Sequence, residues 1–258
     1  MYIIGDVHGC YDTLIALLKK LPDWRTKRIC FVGDLIDRGP KSRQVVELIM
    51  SLVKEGVVDC VKGNHEYMMV DYSLGRAKAM WLGNGGQQCL DSYFEKPPFN
   101  HPTTDPESDE YMPGEYLKGI FNEEVFNKHC NWMDILPVFL EYPELKLSDG
   151  RHLVVSHSHA STVWDEIKRG RTEDVDWSAI HHNLMWGRPR KFKKKHQEHE
   201  IFNVIGHTPR EKARLRSFYA NVDSGCFWKK EMSSNKYGKL SALEFPEMKV
   251  HVHKCIDE

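Results

Sequence analysis

Three short polar blocks decide the fold of this chain: Gly5-Asp6-Val7-His8-Gly9, Gly33-Asp34-Leu35-Ile36-Asp37-Arg38-Gly39-Pro40 and Gly63-Asn64-His65-Glu66. Each block follows a short apolar run, at residues 2–4, 29–32 and 57–61. Such runs, bounded by glycine, are typical of buried strands. Between them, apolar residues recur at helical spacing over 14–21 and 45–52. The alternation predicts a βαβαβ unit with parallel strands, which places all three blocks at one edge of the sheet.

The side chains in these blocks are suited to binding divalent metal ions. Asp6, His8, Asp34 and Asn64 supply carboxylate, imidazole and amide oxygen donors. This mixture favours manganese or iron over a thiolate zinc site. A carboxylate can bridge two ions, and paired ions about 3.5–4 Å apart are a standard device for attacking phosphate esters. Ordinary strand-to-helix loops also carry Gly, Asp and Asn, but three such blocks in this order favour the metal site.

The motifs GDVHG, GDLIDRG and GNHE resemble the three signature motifs of the PPP-type metallophosphatases. That superfamily includes protein serine/threonine phosphatases, small bacteriophage lambda-type phosphatases and symmetrical diadenosine tetraphosphate hydrolases. The chain is most similar to the phage and bacterial lambda-type enzymes. The resemblance implies an α/β calcineurin-like metallophosphatase fold, with a central β-sandwich flanked by helices. A length of 258 residues predicts a single domain over 1–258.

Two downstream histidines resemble the remaining ligands of the family. His157 ends an apolar run, but the family usually has Gly or Ala after this histidine, whereas here Ser158 and then His159 follow. His159 therefore stays an alternative, and His157 is favoured because it directly ends the run. His207, in the sequence Gly-His-Thr-Pro, resembles the last ligand motif. Asp223 lies in a segment similar to the next family strand and is expected to support His207.

An arginine for phosphate binding is expected near residue 188. The segment 184–188 resembles the family segment that delivers such an arginine, and the planar fork of Arg188 can grip two phosphate oxygens. Arg190 is the neighbour that could take this place instead. The basic run at 191–195 is typical of a solvated loop. Attraction of a phosphorylated partner or a nucleic acid is the alternative for that run.

The resemblance implies two divalent ions, with manganese favoured over iron, zinc or nickel. The implied ligands are Asp6 and His8 for the first ion, Asn64, His157 and His207 for the second, and Asp34 as the bridge. Water or hydroxide between the ions would be the nucleophile, attacking in line. The implied phosphate contacts come from Arg38, Arg188 and Asn64. His65 would protonate the leaving oxygen, and Asp37 would orient that imidazole.

The expected reaction is hydrolysis of phosphate monoesters, with a serine/threonine protein phosphatase as the first candidate. The alternative is a symmetrical diadenosine tetraphosphate hydrolase or another nucleotide phosphohydrolase. Asp37 and Glu66 favour the first candidate, because the tetraphosphatases often lack the first acid and carry Asp at the second position. The expected partner is a phosphorylated protein or a small phosphate ester. An inactive phosphate-binding module is disfavoured by the complete set of candidate residues.

Composition limits the remaining possibilities. The formal net charge is −1, so no global basic field points to nucleic acid. Seven scattered cysteines without a CxxC pair favour a reducing compartment. The amino terminus runs into a strand, leaving no room for a signal peptide, and no apolar run approaches the roughly 20 residues of a membrane span. We expect a soluble, cytoplasmic protein of a bacterium or of a phage-infected one, without a membrane partner.

The rest of the chain gives a coarser pattern. Helices are predicted over 67–93, with a turn at 84–86, and over 116–132. Residues 95–114 contain five prolines and are predicted to form an exposed loop beside the active site. Strands are predicted over 136–140, 145–147, 153–157 and 201–205, with a hairpin turn at Asp149-Gly150. The segment 219–225 resembles the family strand that follows. The tail, 239–252, is expected to supply closing strands.

Overall fold

The computed structural model describes residues 1–95, 120–229 and 236–257. The predicted Pro-rich loop therefore lies outside the described residues except for Glu95. The first part of the chain contains β1 (Tyr2–Ile4), α1 (Tyr11–Lys20), β2 (Ile29–Phe31), α2 (Ser42–Lys54), β3 (Val58–Cys60), α3 (Asn64–Ser73), α4 (Lys78–Trp81), a π-helical turn (Leu82–Gly86), α5 (Gln87–Asp91) and β4 (Phe94–Glu95).

The second part begins with the short strand β5 (Ile120–Phe121). It continues with α6 (Glu123–Asp134), β6 (Phe139–Lys146), β7 (His152–Ser156), α7 (Trp164–Arg169), α8 (Trp177–Trp186), β8 (Ile201–Ile205), β9 (Arg214–Leu215), β10 (Tyr219–Asn221), β11 (Lys239–Glu244) and β12 (Lys249–Lys254). Short 3₁₀ turns occur at Ala160–Thr162, Lys194–Gln197 and Phe227–Lys229. The basic run at 191–195 thus lies in a loop that ends in such a turn.

Two five-stranded sheets form the centre of the molecule, in the orders β12-β11-β1-β2-β3 and β6-β7-β8-β10-β9. In the first sheet, β1, β2 and β3 are parallel and in register, with Ile3 opposite Cys30. Helices α1 and α2 connect these three strands, which confirms the predicted βαβαβ unit. In the second sheet, β7, β8 and β10 are also parallel. The predicted pair of sheets is confirmed.

Alternation along β1 shows how the layers pack. Ile3 belongs to a buried cluster with Val155 and Val204 of the second sheet, so this face lies between the two sheets. Tyr2 and Ile4 point to the opposite face and pack in the larger cluster that contains the apolar stripes of α1 and α2. Successive residues of a strand point to opposite faces. All three residues of β1 are buried, so this strand packs against both hydrophobic cores.

Three predicted elements differ from the structure. The helix predicted over 67–93 is broken after Ser73, where Gly75 and Ala77 both adopt positive φ. Of the helix predicted over 116–132, residues 116–119 lie outside the described residues. Ile120 and Phe121 pair with β4 as a strand, and α6 begins at Glu123, where Asn122 caps it. The strands predicted at 136–140 and 145–147 form the single strand β6, which has an irregular register after Tyr142. The turn at Asp149-Gly150 does separate β6 from β7, as predicted.

Candidate active site

The polar residues that follow parallel strands meet at one edge of the two sheets. The three blocks of the first sheet follow β1, β2 and β3. In the second sheet, His157 comes directly after β7, and His207 follows β8 by two residues. Since β7 and β8 are parallel, both imidazoles reach the same edge of their sheet. The two sheets pack face to face, so all five segments converge on one place.

Backbone strain is concentrated here. Five non-glycine residues of this place have φ in the left-handed region: His8 (47°), Asp34 (52°), Asp37 (73°), Arg38 (68°) and His207 (68°). A non-glycine residue with positive φ is uncommon, and such conformations persist only where surrounding structure enforces them. Strain of this kind is typical of functional sites, because it aims side chains in directions that a relaxed backbone does not offer.

Three candidate ligand atoms form a compact triangle around one point. His157 Nε2 lies 3.0 Å from Asn64 Oδ1 and 3.1 Å from His207 Nδ1, and the last two atoms lie 2.9 Å apart. Donors about 2.1 Å from one ion and at right angles to each other would be about 3.0 Å apart. The His157 ring is oriented by Val32 O, 2.8 Å from its Nδ1. The triangle therefore has the size of one face of a metal coordination shell.

The electrostatics at this point favour a positive charge. Asp34 Oδ2 lies 3.3 Å from His157 Nε2 and 3.7 Å from His8 Nε2, between the two groups of ligands. Burial lowers the pKa of His157, but the Asp34 charge overcomes this and raises it to about 10. Burial would raise the pKa of Asp34, but the imidazoles of His157 and His65 hold it well below its usual range. A divalent ion would satisfy these groups better than one proton, because it can contact all of them at once.

Asp6 enters the site from the other side. The backbone N–H of His207 donates to both of its carboxylate oxygens, at 3.3 and 3.0 Å. Burial and the nearby Asp223 carboxyl raise the pKa of Asp6 well above its usual value. A buried carboxyl of this kind becomes a stable anion when a cation binds beside it. A Cβ at position 206 would overlap Asp6 Oδ1, so only glycine fits there.

The Arg38 guanidinium contacts two histidines of the site, His8 and His65. It lies 2.6 Å from His8 Nε2 and 3.0 Å from His65 Nε2. The His8 ring places its Nδ1 2.9 Å from Ile36 O, so Nε2 is the atom that faces the site. Burial and the Arg38 charge lower the pKa of His8 well below its usual range, which keeps the imidazole neutral and able to bind a cation. Arg38 also covers the ring of Trp228, 5.2 Å from its centroid.

A buried chain of three residues fixes His65. Asp37 Oδ2 lies 2.5 Å from His65 Nδ1, and the Trp81 indole N–H donates to both Asp37 oxygens at 3.0 Å. Burial raises the pKa of Asp37, and the bonds from His65 and Trp81 oppose that rise. His65 Nε2 is left facing the pocket. This is the geometry of a proton donor that is oriented by a carboxylate.

The alternatives left by the sequence lie in different surroundings in the structure. His157 lies in the site, whereas His159 is buried between the rings of Phe192 and Tyr219. Arg188 donates from Nε to His207 Nε2 at 3.0 Å and lines the same pocket. Arg190 is exposed and does not line that pocket.

The expected support of His207 by Asp223 is wrong. Among the described residues, the Asp223 carboxylate accepts from the Gly225 N–H at 2.9 Å and makes no hydrogen bond to His207. Asp223 lines the same pocket, but the turn of the chain after β10 brings its carboxylate to the Gly225 N–H. Burial raises the pKa of Asp223 to about 6; the Gly225 N–H bond opposes this rise, and the nearby Asp34 charge adds to it.

Three residues important to the site were given no role by the sequence. Glu66 accepts hydrogen bonds from the backbone N–H groups of Gly63, Asp34 and Leu35, at 2.9, 2.8 and 2.7 Å, and so joins the second and third blocks. Its place three residues into α3 is a capping signal that could have predicted part of this role. Trp81 and Trp228 had no such signal, since neither stands in a polar block.

Between these groups lies a pocket of about 250 Å³. Its lining includes Asp34, Arg38, Asn64, His65, Arg188 and His207. A cavity lined by two carboxylates, two guanidinium groups and several neutral donor atoms is equipped to hold metal ions and a phosphate together. Wider grooves adjoin it on two sides, and Trp186 lines one while Trp228 lines the other.

Replacing His157 and His159 one at a time tests the first assignment. We expect His157→Asn to lower metal affinity and activity more than about 100-fold, since even outer-shell partners of a metal are worth 10–100-fold. His159→Asn should retain wild-type metal affinity, because its ring packs against Phe192 and Tyr219 rather than against the donor atoms of the pocket. Isothermal titration with Mn²⁺ measures the affinity of both variants. Equal losses in the two variants would contradict the placement.

The chain belongs to the calcineurin-like phosphoesterase family, whose model matches residues 1–237. It is therefore a metallophosphoesterase, a hydrolase class with a dinuclear divalent metal site, and the histidine and aspartate clusters around Asp34 are its candidate ligands. These clusters consist of His8, Asp34 and His65, and of Asp34, His157 and His207.

Full-length similarity extends to curated bacterial proteins. The chain is 27% identical over 261 residues to the protein named bis(5'-nucleosyl)-tetraphosphatase PrpE [asymmetrical] from Geobacillus sp. (strain WCH70), covering 95% of this chain and 93% of the relative. The protein of that name from Halalkalibacterium halodurans is 28% identical over 270 residues, covering 95% of this chain and 90% of the relative.

Solved structures share the fold. A suggested diadenosine tetraphosphatase superposes with a TM-score of 0.57 and 18% identity, over 98% of this chain and 92% of that one. A protein serine/threonine phosphatase from Saccharomyces cerevisiae gives 0.58 and 13%, over 100% of this chain and 80% of that one. At these identities the likeness shows the fold alone. No helix in the described parts of the chain is long and apolar enough to cross a membrane.

Proposed function

We propose that this protein is a dimetal phosphohydrolase that cleaves dinucleoside tetraphosphates. The observation that carries this proposal is similarity over 95% of the chain to proteins named bis(5'-nucleosyl)-tetraphosphatase. This similarity supports a nucleotide substrate more strongly than the protein phosphatase that Asp37 and Glu66 favoured. The relatives are named asymmetrical, so we expect a nucleoside monophosphate and a nucleoside triphosphate as products, rather than the two equal halves of symmetrical cleavage.

The metal ligands in this proposal are those expected from the motifs: Asp6 and His8 for one ion, Asn64, His157 and His207 for the other, with Asp34 shared. The spacing of the Asn64, His157 and His207 donors and the position of Asp34 between both groups support this assignment. Two bound ions would supply the charge that polarises a phosphate and lowers the pKa of a water. Oxygen and nitrogen donors favour manganese, with iron, zinc and nickel as alternatives.

The remaining residues act on the phosphate and on its leaving group. Arg38 contacts His8, whereas Arg188 contacts His207. Their guanidinium groups can therefore neutralise phosphate oxygens from two sides of the pocket. Asn64 combines metal binding with contact to the phosphate. His65 presents Nε2 to the leaving oxygen, and its other nitrogen is held by Asp37. We place this activity in the cytoplasm, where nucleotides are found.

The shape of the surface supports a substrate with two arms. The groove on one side of the pocket has a volume of about 690 Å³ and carries Lys62, Arg76 and Trp186. The groove on the other side has a volume of about 330 Å³ and carries Arg38 and Trp228. A dinucleoside polyphosphate has a base at each end and anionic phosphates between. An aromatic side chain beside each groove offers a stacking surface for one base, worth about 1–3 kcal/mol each.

One feature favours phosphate monoesters of protein side chains as a second candidate. The Asp37–His65 pair is built to donate a proton, and Trp81 fixes it in place. A serine alkoxide needs such a proton to leave, whereas a phosphate leaving group has a second pKa near 6 and can leave as an anion. The pair is therefore more useful for esters than for phosphate anhydrides.

Comparison of kcat/KM for diadenosine tetraphosphate and a phosphoserine peptide tests the proposal. With manganese-loaded protein we expect the dinucleotide to win by at least tenfold, which is about 1.4 kcal/mol of transition-state binding. Product analysis should then show unequal halves. A tenfold preference for the peptide would instead establish the second candidate.

Replacing Trp228 tests the two-armed substrate. We expect Trp228→Ala to lower kcat/KM for diadenosine tetraphosphate roughly tenfold more than for para-nitrophenyl phosphate, because only the dinucleotide loses a stacked base. Normalising to the small substrate removes any effect through Arg38, which packs on this indole. Trp228→Phe is the matched control, since it retains a ring and should retain most of the preference. Equal losses on both substrates would argue against a base in this groove.

A further inference from the structure

Three buried cysteines from distant parts of the chain meet beside the active site. Cys10 directly precedes α1, Cys226 lies in the loop after β10, and Cys255 follows β12. Their sulfur atoms all lie within 4.8 Å of one another. The three residues are 1%, 0% and 4% exposed. No other set of three metal-binding side chains occurs in the described parts of the chain apart from the two clusters of the hydrolytic site.

The spacing of two of these sulfur atoms matches metal coordination. Cys10 Sγ and Cys255 Sγ are 3.9 Å apart. Two thiolates on one tetrahedral zinc ion, each at about 2.3 Å, would be about 3.8 Å apart. A disulfide would require about 2.05 Å, so this distance belongs to separate sulfur atoms. The other cysteines are placed differently, and Cys89, for example, packs against the Met69 thioether.

Hydrogen bonds of Asp257, two residues after Cys255, hold Cys255 in this cluster. The Asp257 carboxylate accepts from Asp12 N and Thr13 N, both at 2.9 Å, and from the Thr13 hydroxyl at 2.6 Å. These bonds fasten the end of the chain to the first turn of α1. The Cys255 N–H donates to Gly238 O at 2.8 Å. Three independent backbone segments are therefore held so that their sulfur atoms share one point.

We propose that Cys10, Cys226 and Cys255 form a second metal site, which binds one thiophilic ion of the zinc or copper(I) class. Soft thiolates select such ions, whereas the oxygen and nitrogen donors around Asp34 select harder ones. Cys10 lies two residues after His8 and Cys226 three residues after Asp223. An ion bound here would tie the last strand to two loops of the hydrolytic site, and its role would be structural.

Titration of the reduced, full-length protein with Cd²⁺ tests this proposal, because thiolate-to-cadmium charge transfer absorbs in the ultraviolet and the hydrolytic site contributes no sulfur. We expect the band to saturate at one equivalent. Cys255→Ser should lose most of it, and Cys130→Ser, which removes a buried cysteine outside the cluster, should retain it.

Two further measurements keep the result decisive. Circular dichroism and manganese-dependent hydrolysis show whether Cys255→Ser is folded, and Cys226→Ala serves as a second variant if it is not. Native mass spectrometry after Zn²⁺ loading should show one ion that resists a chelator strong enough to strip Mn²⁺. Absence of the band from the wild-type protein, or an unchanged band in both cluster variants, would overturn the proposal. Neither result depends on the substrate of the hydrolytic site.

Discussion

Asp34→Asn should reduce the rate of phosphate hydrolysis at least about 10³-fold, or about 4 kcal/mol of transition-state stabilisation. Asp34 Oδ2 lies 3.3 Å from His157 Nε2 and 3.7 Å from His8 Nε2, so it is the charge that both proposed groups of ligands would share. The substitution keeps the size of the side chain and can keep the bond from His65 N to Oδ1, 3.1 Å in length. The loss would therefore come from charge rather than from shape.

Metal content and rate should fall together in this variant. Elemental analysis of the purified protein measures the first, and hydrolysis of para-nitrophenyl phosphate the second. Asp165→Asn is a suitable control, because it removes a surface carboxylate that pairs with Lys195 far from the pocket. Wild-type rate in Asp34→Asn with both ions bound would show that the shared charge is not needed.

His65→Asn should lower the rate on alkyl phosphates by roughly 10²–10⁴-fold, the usual worth of a positioned proton donor. The loss should be much smaller for aryl phosphates and for diadenosine tetraphosphate. A phenolate or a phosphate leaves readily as an anion, whereas an alkoxide does not. Comparing these substrates in one variant therefore distinguishes a loss of proton donation by His65 from a loss of substrate binding.

The test of His65 is the order of the rate losses on an alkyl phosphate, an aryl phosphate and diadenosine tetraphosphate. Trp81→Phe provides a milder partner, because it removes the indole bonds to Asp37 while leaving His65 in place. It should show the same order with smaller losses. An equal effect of His65→Asn on all three substrates would indicate that the imidazole holds the site together rather than donating a proton.

Residues at strand ends could be predicted from the sequence because their signal is local. An apolar run fixes the strand, and the next polar residue must then lie at the edge of the sheet, as Asp6, Asn64 and His157 do. The choice of His157 over His159 followed from this rule alone. The order of the strands in the second sheet could not be read in the same way, because it depends on contacts between distant segments.

The missed features depend on contacts across the chain. Trp81 reaches Asp37 only because the helix breaks after Ser73, and its own surroundings give no polar signal. Ile120 and Phe121 fit a helical pattern as well as a strand, and pairing with Phe94 and Glu95 decides the matter. Local periodicity cannot choose between such alternatives, since the deciding partner lies far away in sequence.

The central claim is that hydrolysis depends on two metal ions bound by six residues: Asp6, His8, Asp34, Asn64, His157 and His207. Manganese titration tests this claim most directly. Protein stripped with a chelator should be inactive. Equilibrium dialysis against Mn²⁺ should then show two bound ions per chain at saturation, with the rate of phosphate hydrolysis rising as the second ion binds. Manganese avoids thiolate sites, so the cysteine cluster should not add to the count. Full activity in the stripped protein, or saturation of activity at one ion per chain, would contradict the account.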